Sequence, residues 1–95
     1  MGREIRGASL SERFAPDASI DLHGRRPDAA LELLRRAVES GKYRGKTLEA
    51  IHGQGSGVLR ETVRDWARRS NLVKQVWAGE DFFLPGGGGV TVLFL

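Results

Sequence analysis

The chain reads as a small α/β domain, a two-layer sandwich in which a mixed four-stranded sheet and two helices follow one another in the order βαβαββ. Three observations predict it. Two short apolar runs, Ser19–Leu22 and Thr47–Ile51, each end in His-Gly and have the length of strands. Each is followed by a segment whose apolar residues recur at helical spacing. The chain of 95 residues, 40% hydrophobic and 28% charged, has the size and composition of one ordinary globular core.

Residues 1–18 lack periodicity and read as a flexible N-terminal arm, leaving 19–95 as the domain. In the first strand Ile20 and Leu22 share one face, so Asp21 and His23 share the other. Two ionisable groups on one strand face need either a partner or a cleft. Pro27 suits a first helical position and Asp28 suits the positive end of the helix dipole. Ala30, Leu33, Leu34, Ala37 and Val38 give the first helix its apolar stripe, and Gly41 closes it.

The second strand leads into His52-Gly53-Gln54-Gly55-Ser56-Gly57, with Ser56 expected to cap a helix that begins near Val58. Leu59, Val63, Trp66 and Ala67 form that helix's apolar face. Arg60, Arg64 and Arg68 are expected along its outer edge. Leu72–Ala78 reads as a third strand, with Trp77 either covering the core or facing the open side of the sheet. Gly86–Gly89 then reads as a connection to a last strand, Val90–Leu95, apolar enough to pair across an exposed edge.

The chemistry concentrates at the ends of the first two strands. If these are parallel neighbours, their carboxyl ends and both imidazoles meet in one crevice, where open α/β sheets place ligands. Gly53, Gly55 and Gly57 allow backbone N–H groups to converge on an anion at a helix start. The turn lacks the Gly-Lys-[Ser/Thr] ending of a Walker A motif and is not a dinucleotide fingerprint, which argues against ATP and NAD. His23 and His52 can exchange protons near neutrality, as phosphodiester cleavage requires, with Asp21 orienting a ring or activating water. An alternative use of Asp21, His23 and His52 is to hold a divalent metal ion. Arg25, Arg26, Lys46, Arg60 and Arg64 are expected near the same end, where Arg25 and Arg26 suit contacts to a nucleic-acid backbone.

With 15 Lys and Arg against 12 Asp and Glu, the net charge of +3 is compatible with a polyanionic partner without requiring one. Cys is absent, which removes disulfides and thiolate metal sites and fits a cytoplasmic setting. No apolar run reaches the ~18 residues of a membrane span, so no membrane partner is expected.

Three segments in order closely resemble the signatures of the Smr (small MutS-related) domain family: Ile20-Asp21-Leu22-His23-Gly24, Ile51-His52-Gly53-Gln54-Gly55-Ser56-Gly57-Val58-Leu59-Arg60, and Gly87-Gly88-Gly89-Val90-Thr91-Val92. The resemblance implies a fold like the C-terminal domain of bacterial translation initiation factor three. It also implies nucleic-acid binding, and in many members endonuclease activity on DNA or RNA, in recombination control, repair, or mRNA and ribosome quality control. Partners of the kind it suggests are nucleic acid, the ribosome or a MutS-like ATPase. Carried over, the family's DxHG segment falls on Asp21, His23 and Gly24 and is tied to cleavage. Its HGxG segment falls on His52, Gly53 and Gly55 and is tied to nucleic-acid binding and sometimes cleavage. Gln54 departs from the basic residue that many relatives carry. The expected catalytic set is therefore Asp21, His23 and His52. The expected binding set is Gly24, Arg25, Arg26, Lys46, Gly53, Gln54, Gly55, Ser56, Gly57 and Arg60. A non-catalytic nucleic-acid or ribosome binding module makes nearly the same demands on the sequence.

Overall fold

The computed structural model describes residues 14–95; the remainder of the expected arm lies outside the described residues. Strand β1 (Ala18–Asp21) leads through a turn to helix α1 (Pro27–Glu39), then to β2 (Thr47–Ile51) and helix α2 (Val58–Arg69). Strand β3 (Gln75–Ala78), a single 3-10 turn (Gly87–Gly89) and β4 (Val90–Phe94) complete the chain. The sheet order is β1-β2-β4-β3, with β1 and β2 parallel and β4 antiparallel to both of its neighbours. Strands β1, β2 and β3 consequently run the same way, and their C-terminal loops gather at one end of the sheet.

Helix α1 forms where the sequence predicts it, with Pro27 opening it and Gly41, at φ +77°, turning the chain away just past its end. Its buried residues Ala30, Leu34 and Val38 meet Val63 and Ala67 of α2 above Leu48, Ala50 and Leu93 of the sheet. Burying a side chain the size of Leu34 contributes about 1.5–3 kcal/mol, so this layer supplies most of the driving force. Ala18, Ile20 and Leu22 join it from β1, which turns Ser19 and Asp21 to the opposite face.

Three expectations are corrected by the fold. Helix α2 is capped by Gly57 at φ +90° instead of by Ser56, whose hydroxyl only accepts a long 3.4 Å bond from the Val58 N–H. The third strand is shorter than expected and starts at Gln75, because Ser70–Val73 closes a turn after α2. Strand β4 is not an edge strand. It lies between β2 and β3 with Val90, Thr91, Val92 and Leu93 all buried, which is why its sequence is apolar without alternation. Just before β1, Asp17 and Thr47 exchange hydrogen bonds of 2.9 Å, and the Phe14 ring centroid lies 5.9 Å from that of Trp77.

Trp77 faces away from the helices. It stacks on Phe82 at 4.2 Å between ring centroids and tilts against Phe94 at 4.7 Å. This aromatic group, together with buried Leu84, covers the part of the outer face that β3 and β4 form.

Candidate nucleic-acid interface

The turns after β1 and β2 enclose a shallow cleft of about 220 Å³. Gly24, Arg25, His52 and Arg60 line it together with the whole turn from Gly53 to Gly57. The sequence-predicted binding residues thus come together, apart from two. Arg26 lies just outside, exposed at the N-cap of α1 and 3.5 Å from Asp28. Lys46 is at the other end of the sheet beside Lys74 and Phe94, because it precedes β2 whereas the cleft follows it. Six residues of extended chain separate it from His52 by roughly 20 Å.

The cleft floor is backbone. Gly53 packs so closely that a Cβ there would stand 3.4 Å from the His23 Cβ, and its φ of +78° favours glycine. The N–H groups of His52 and Gly53 both donate to the Gly89 carbonyl at 3.0 Å. Gly88 and Gly89 have no side chains to keep the Gln54 side chain away, and it folds against them. The glycine run therefore belongs to the architecture of this site. Arg60 reaches back over the start of α2, within 2.6 Å of where a Gly57 Cβ would stand. It thereby adds a cation to the helix end that already favours anions.

Asp21 and His23 stand at the rim, exposed on the outer side of the sheet. The His23 Nδ1 is 2.5 Å from Asp21 Oδ1, and the His23 backbone N–H donates to the same oxygen at 3.1 Å. These bonds hold the Asp21 carboxyl below its ordinary pKa. A carboxylate can only accept, so Nδ1 carries a proton, and in the neutral ring Nε2 is the nitrogen that keeps the lone pair. Both side chains are more than half exposed, at 68% and 59%, and such a pair contributes little stability.

His52 has a different environment from the one expected. Its parity with Leu48 and Ala50 turns it to the helix side, where it is 4% exposed. Nδ1 is 3.0 Å from the Gly53 carbonyl, and Nε2 is 2.8 Å from Thr91 Oγ1. The carbonyl fixes the proton on Nδ1, so neutral Nε2 accepts from the Thr91 hydroxyl. Thr91 Oγ1 in turn accepts from Arg64 Nε at 2.7 Å. Arg64 is 3% exposed, not on an outer edge, and donates two hydrogen bonds to the Glu80 carboxylate at 2.8 and 2.7 Å and one to the Val90 carbonyl. Glu80 is lowered to about 2, chiefly by its hydrogen bonds from Arg64.

The structure thus brings Asp21 and His23 together and turns His52 away from them, with both of its ring nitrogens occupied. The three do not form a common ligand set. Among the described residues no group of three His, Asp or Glu side chains is placed to hold a metal ion. Sequence reasoning missed Thr91 and Glu80 as supports of the site and misplaced Arg64. A signal for Arg64 was present, since position 64 shares a helical face with Val63 and Ala67.

Burial holds His52 below its ordinary value of 6.5, and repulsion from Arg64 and Arg60 acts in the same direction, against the Gly53 hydrogen bond. As pH falls below about 6.5 the unfolded chain takes up a proton that the folded chain refuses, so stability falls. Urea denaturation from about pH 7.5 to about pH 5, on either side of the ordinary histidine value of about 6.5, is expected to show this loss, and His52→Gln to flatten it. An unchanged slope in the variant would refute the assignment.

The family model of the Smr domain matches residues 20–95. The chain belongs to the Smr domain family. This Smr domain is 35% identical over 95 residues to a protein named endonuclease MutS2 from Lactobacillus acidophilus, covering 98% of this chain and 12% of that protein. It is 32% identical over 93 residues to endonuclease MutS2 of Streptococcus mutans, again covering 12% of the relative's length. The crystal structure of the Smr domain of Thermus thermophilus MutS2 superposes with a TM-score of 0.70 at 35% identity, covering 82% of this chain and 96% of that one. The fold of the Smr domain is thereby shown. Among the described residues no helix of the Smr domain is long and apolar enough to cross a membrane.

Proposed function

We propose that this Smr domain binds nucleic acid across the glycine-lined cleft and cleaves phosphodiester bonds with the Asp21–His23 pair. The observation that carries the reading is the exposed 2.5 Å pair standing over Gly53, beside a cleft lined by the Gly53–Gly57 turn and by the cations Arg25 and Arg60. Its relatives named as MutS2 endonucleases support the same direction.

In this mechanism Nε2 of His23 takes a proton from the attacking oxygen, either water or a ribose 2′-hydroxyl. That oxygen bonds to phosphorus as the P–O bond to the leaving oxygen breaks. The leaving oxygen then recovers a proton from solvent or from the imidazolium. Asp21 holds the ring in the reactive tautomer and offsets the charge it acquires. His52 is reassigned from acid/base duty to shaping the turn, because both of its nitrogens are engaged. Contacts through backbone amides and arginines read phosphate and not base, so sequence specificity is low. The reading extends to a cytoplasmic setting, in keeping with the absence of Cys, and to a ribosome or MutS-like ATPase as a further partner, as the family resemblance implies.

The test is binding and cleavage of end-labelled single-stranded RNA and DNA, with salt varied from about 50 to 200 mM. Three cationic contacts, from Arg25, Arg26 and Arg60, predict a log–log salt slope of about −2 on single strands. Cleavage with and without EDTA separates acid/base from metal-assisted chemistry. Binding without any cleavage would leave a binding module, and no binding at low salt would end the proposal.

A further inference from the structure

Phe83 is the most exposed large apolar residue among the described residues, at 78%. It is also the one non-glycine described residue with positive φ, at +55°. An aromatic side chain in left-handed backbone is an outlier, costing on the order of 1 kcal/mol or more, and here it gains no burial in return. Glycine or asparagine would satisfy the same turn at lower cost.

The loop that presents it is firmly held. Phe82 stacks on Trp77, Leu84 is buried, and the Leu84 N–H donates to the Gly79 carbonyl at 2.9 Å. Glu80 is clamped by Arg64, which also neutralises it. Asp81 is in no ion pair among the described residues and would repel a phosphate, which favours a base over a backbone as the group that approaches the loop.

The position also matters. The loop follows β3, whose C-terminal end lies on the same side of the sheet as those of β1 and β2. With β4 between them, the ends of β2 and β3 are about 10 Å apart at ~4.8 Å per strand. Three residues after the loop's Pro85 comes Gly88, where a Cβ would stand 3.5 Å from Oε1 of the cleft residue Gln54. A single strand held by its phosphates at the cleft can therefore reach Phe83 with a neighbouring base.

We infer that Phe83 is a base-stacking residue that engages an unpaired nucleobase next to the cleft, giving this domain a preference for single-stranded nucleic acid. The inference rests on the proposed nucleic-acid reading and extends it to strandedness. Base–aromatic stacking is sequence-tolerant and is unavailable to a base inside a duplex.

The experiment compares the parent, Phe83→Asn and Phe83→Trp on a single-stranded oligonucleotide carrying 2-aminopurine and on the same sequence as a duplex. Phe83→Asn suits the left-handed backbone, so its melting temperature should match or exceed the parent's. Its single-strand affinity should fall about 5- to 100-fold with loss of 2-aminopurine quenching, while duplex affinity is unchanged. Phe83→Trp should retain both affinity and quenching. Unchanged single-strand affinity in Phe83→Asn, or an equal loss on duplex, overturns the inference and leaves the cleft reading intact. Failure of the parent to bind either form removes the cleft reading and this inference with it. A change confined to self-association, seen by size exclusion, would overturn stacking in favour of a protein contact.

Discussion

Replacing His23 with alanine is expected to lower cleavage about 10²- to 10⁴-fold, the usual contribution of a positioned general acid or base. Its stability should stay within about 0.5 kcal/mol of the parent's, since an exposed pair contributes little to the fold. Binding should persist, because the proposed phosphate contacts come from the cleft's own lining, Arg25 and Arg60 among it. Asp21→Asn keeps a side chain of the same shape but can turn an amide N–H toward Nδ1. It should therefore lose less activity than His23→Ala, through a misdirected ring. Initial rates on end-labelled substrate at saturating protein, beside circular dichroism melts, separate these effects. A folded His23→Ala variant that cuts at the parent's rate would move the chemistry away from this pair.

Replacing Glu80 with alanine should produce the largest loss of stability, about 3 kcal/mol. Arg64 is 3% exposed and its guanidinium cannot shed its proton, so its charge has no escape when the partner is removed. Thr91 and the Val90 carbonyl would remain as its acceptors. Glu80 itself is 45% exposed, so water enters part of the vacated space and limits the penalty. In a domain of this length the loss corresponds to a fall in melting temperature of roughly 10–20 °C. Combining it with Arg64→Met should recover much of the stability, because the unpaired charge goes too. A single Glu80→Ala variant within about 0.5 kcal/mol of the parent would show that the ion pair does not anchor the loop. The same pair has a pH signature. Because Glu80 is lowered to about 2, its contribution is full above the ordinary 4.5 and is lost as pH falls through that interval.

These two variants address different layers of one site. His23 is displayed at the rim where it can meet substrate. Arg64, Thr91 and His52 hold the far side of the same turn from beneath, and Glu80 connects that support to the loop carrying Phe83. The cleft therefore has the proposed general base on one face of the sheet and its supporting network on the other.

Local pattern alone determined a good deal. The spacing of Ala30, Leu34 and Val38, with Pro27 before and Gly41 after, specified α1. Alternation placed Asp21 and His23 opposite Ile20 and Leu22. The glycine-punctuated segments after the two strands carried the family and the cleft. The same parity rule, counted from Leu48 through Ala50 to His52, turns the second imidazole to the helix side. Reading the two His-Gly motifs as equivalent obscured that difference. Strand direction likewise puts Lys46 at the end opposite the cleft.

Other features lie beyond any local pattern. The central position of β4, the meeting of Glu80 with Arg64, and the Gly89 carbonyl beneath His52 and Gly53 join residues 13 to 47 positions apart. Periodicity reports which face of an element is apolar, because burial acts on each side chain separately. It does not report which strand lies beside which, or which buried donor meets which acceptor. Those choices are made by the packing of the whole chain at once, and they decide which of the two imidazoles remains open to solvent.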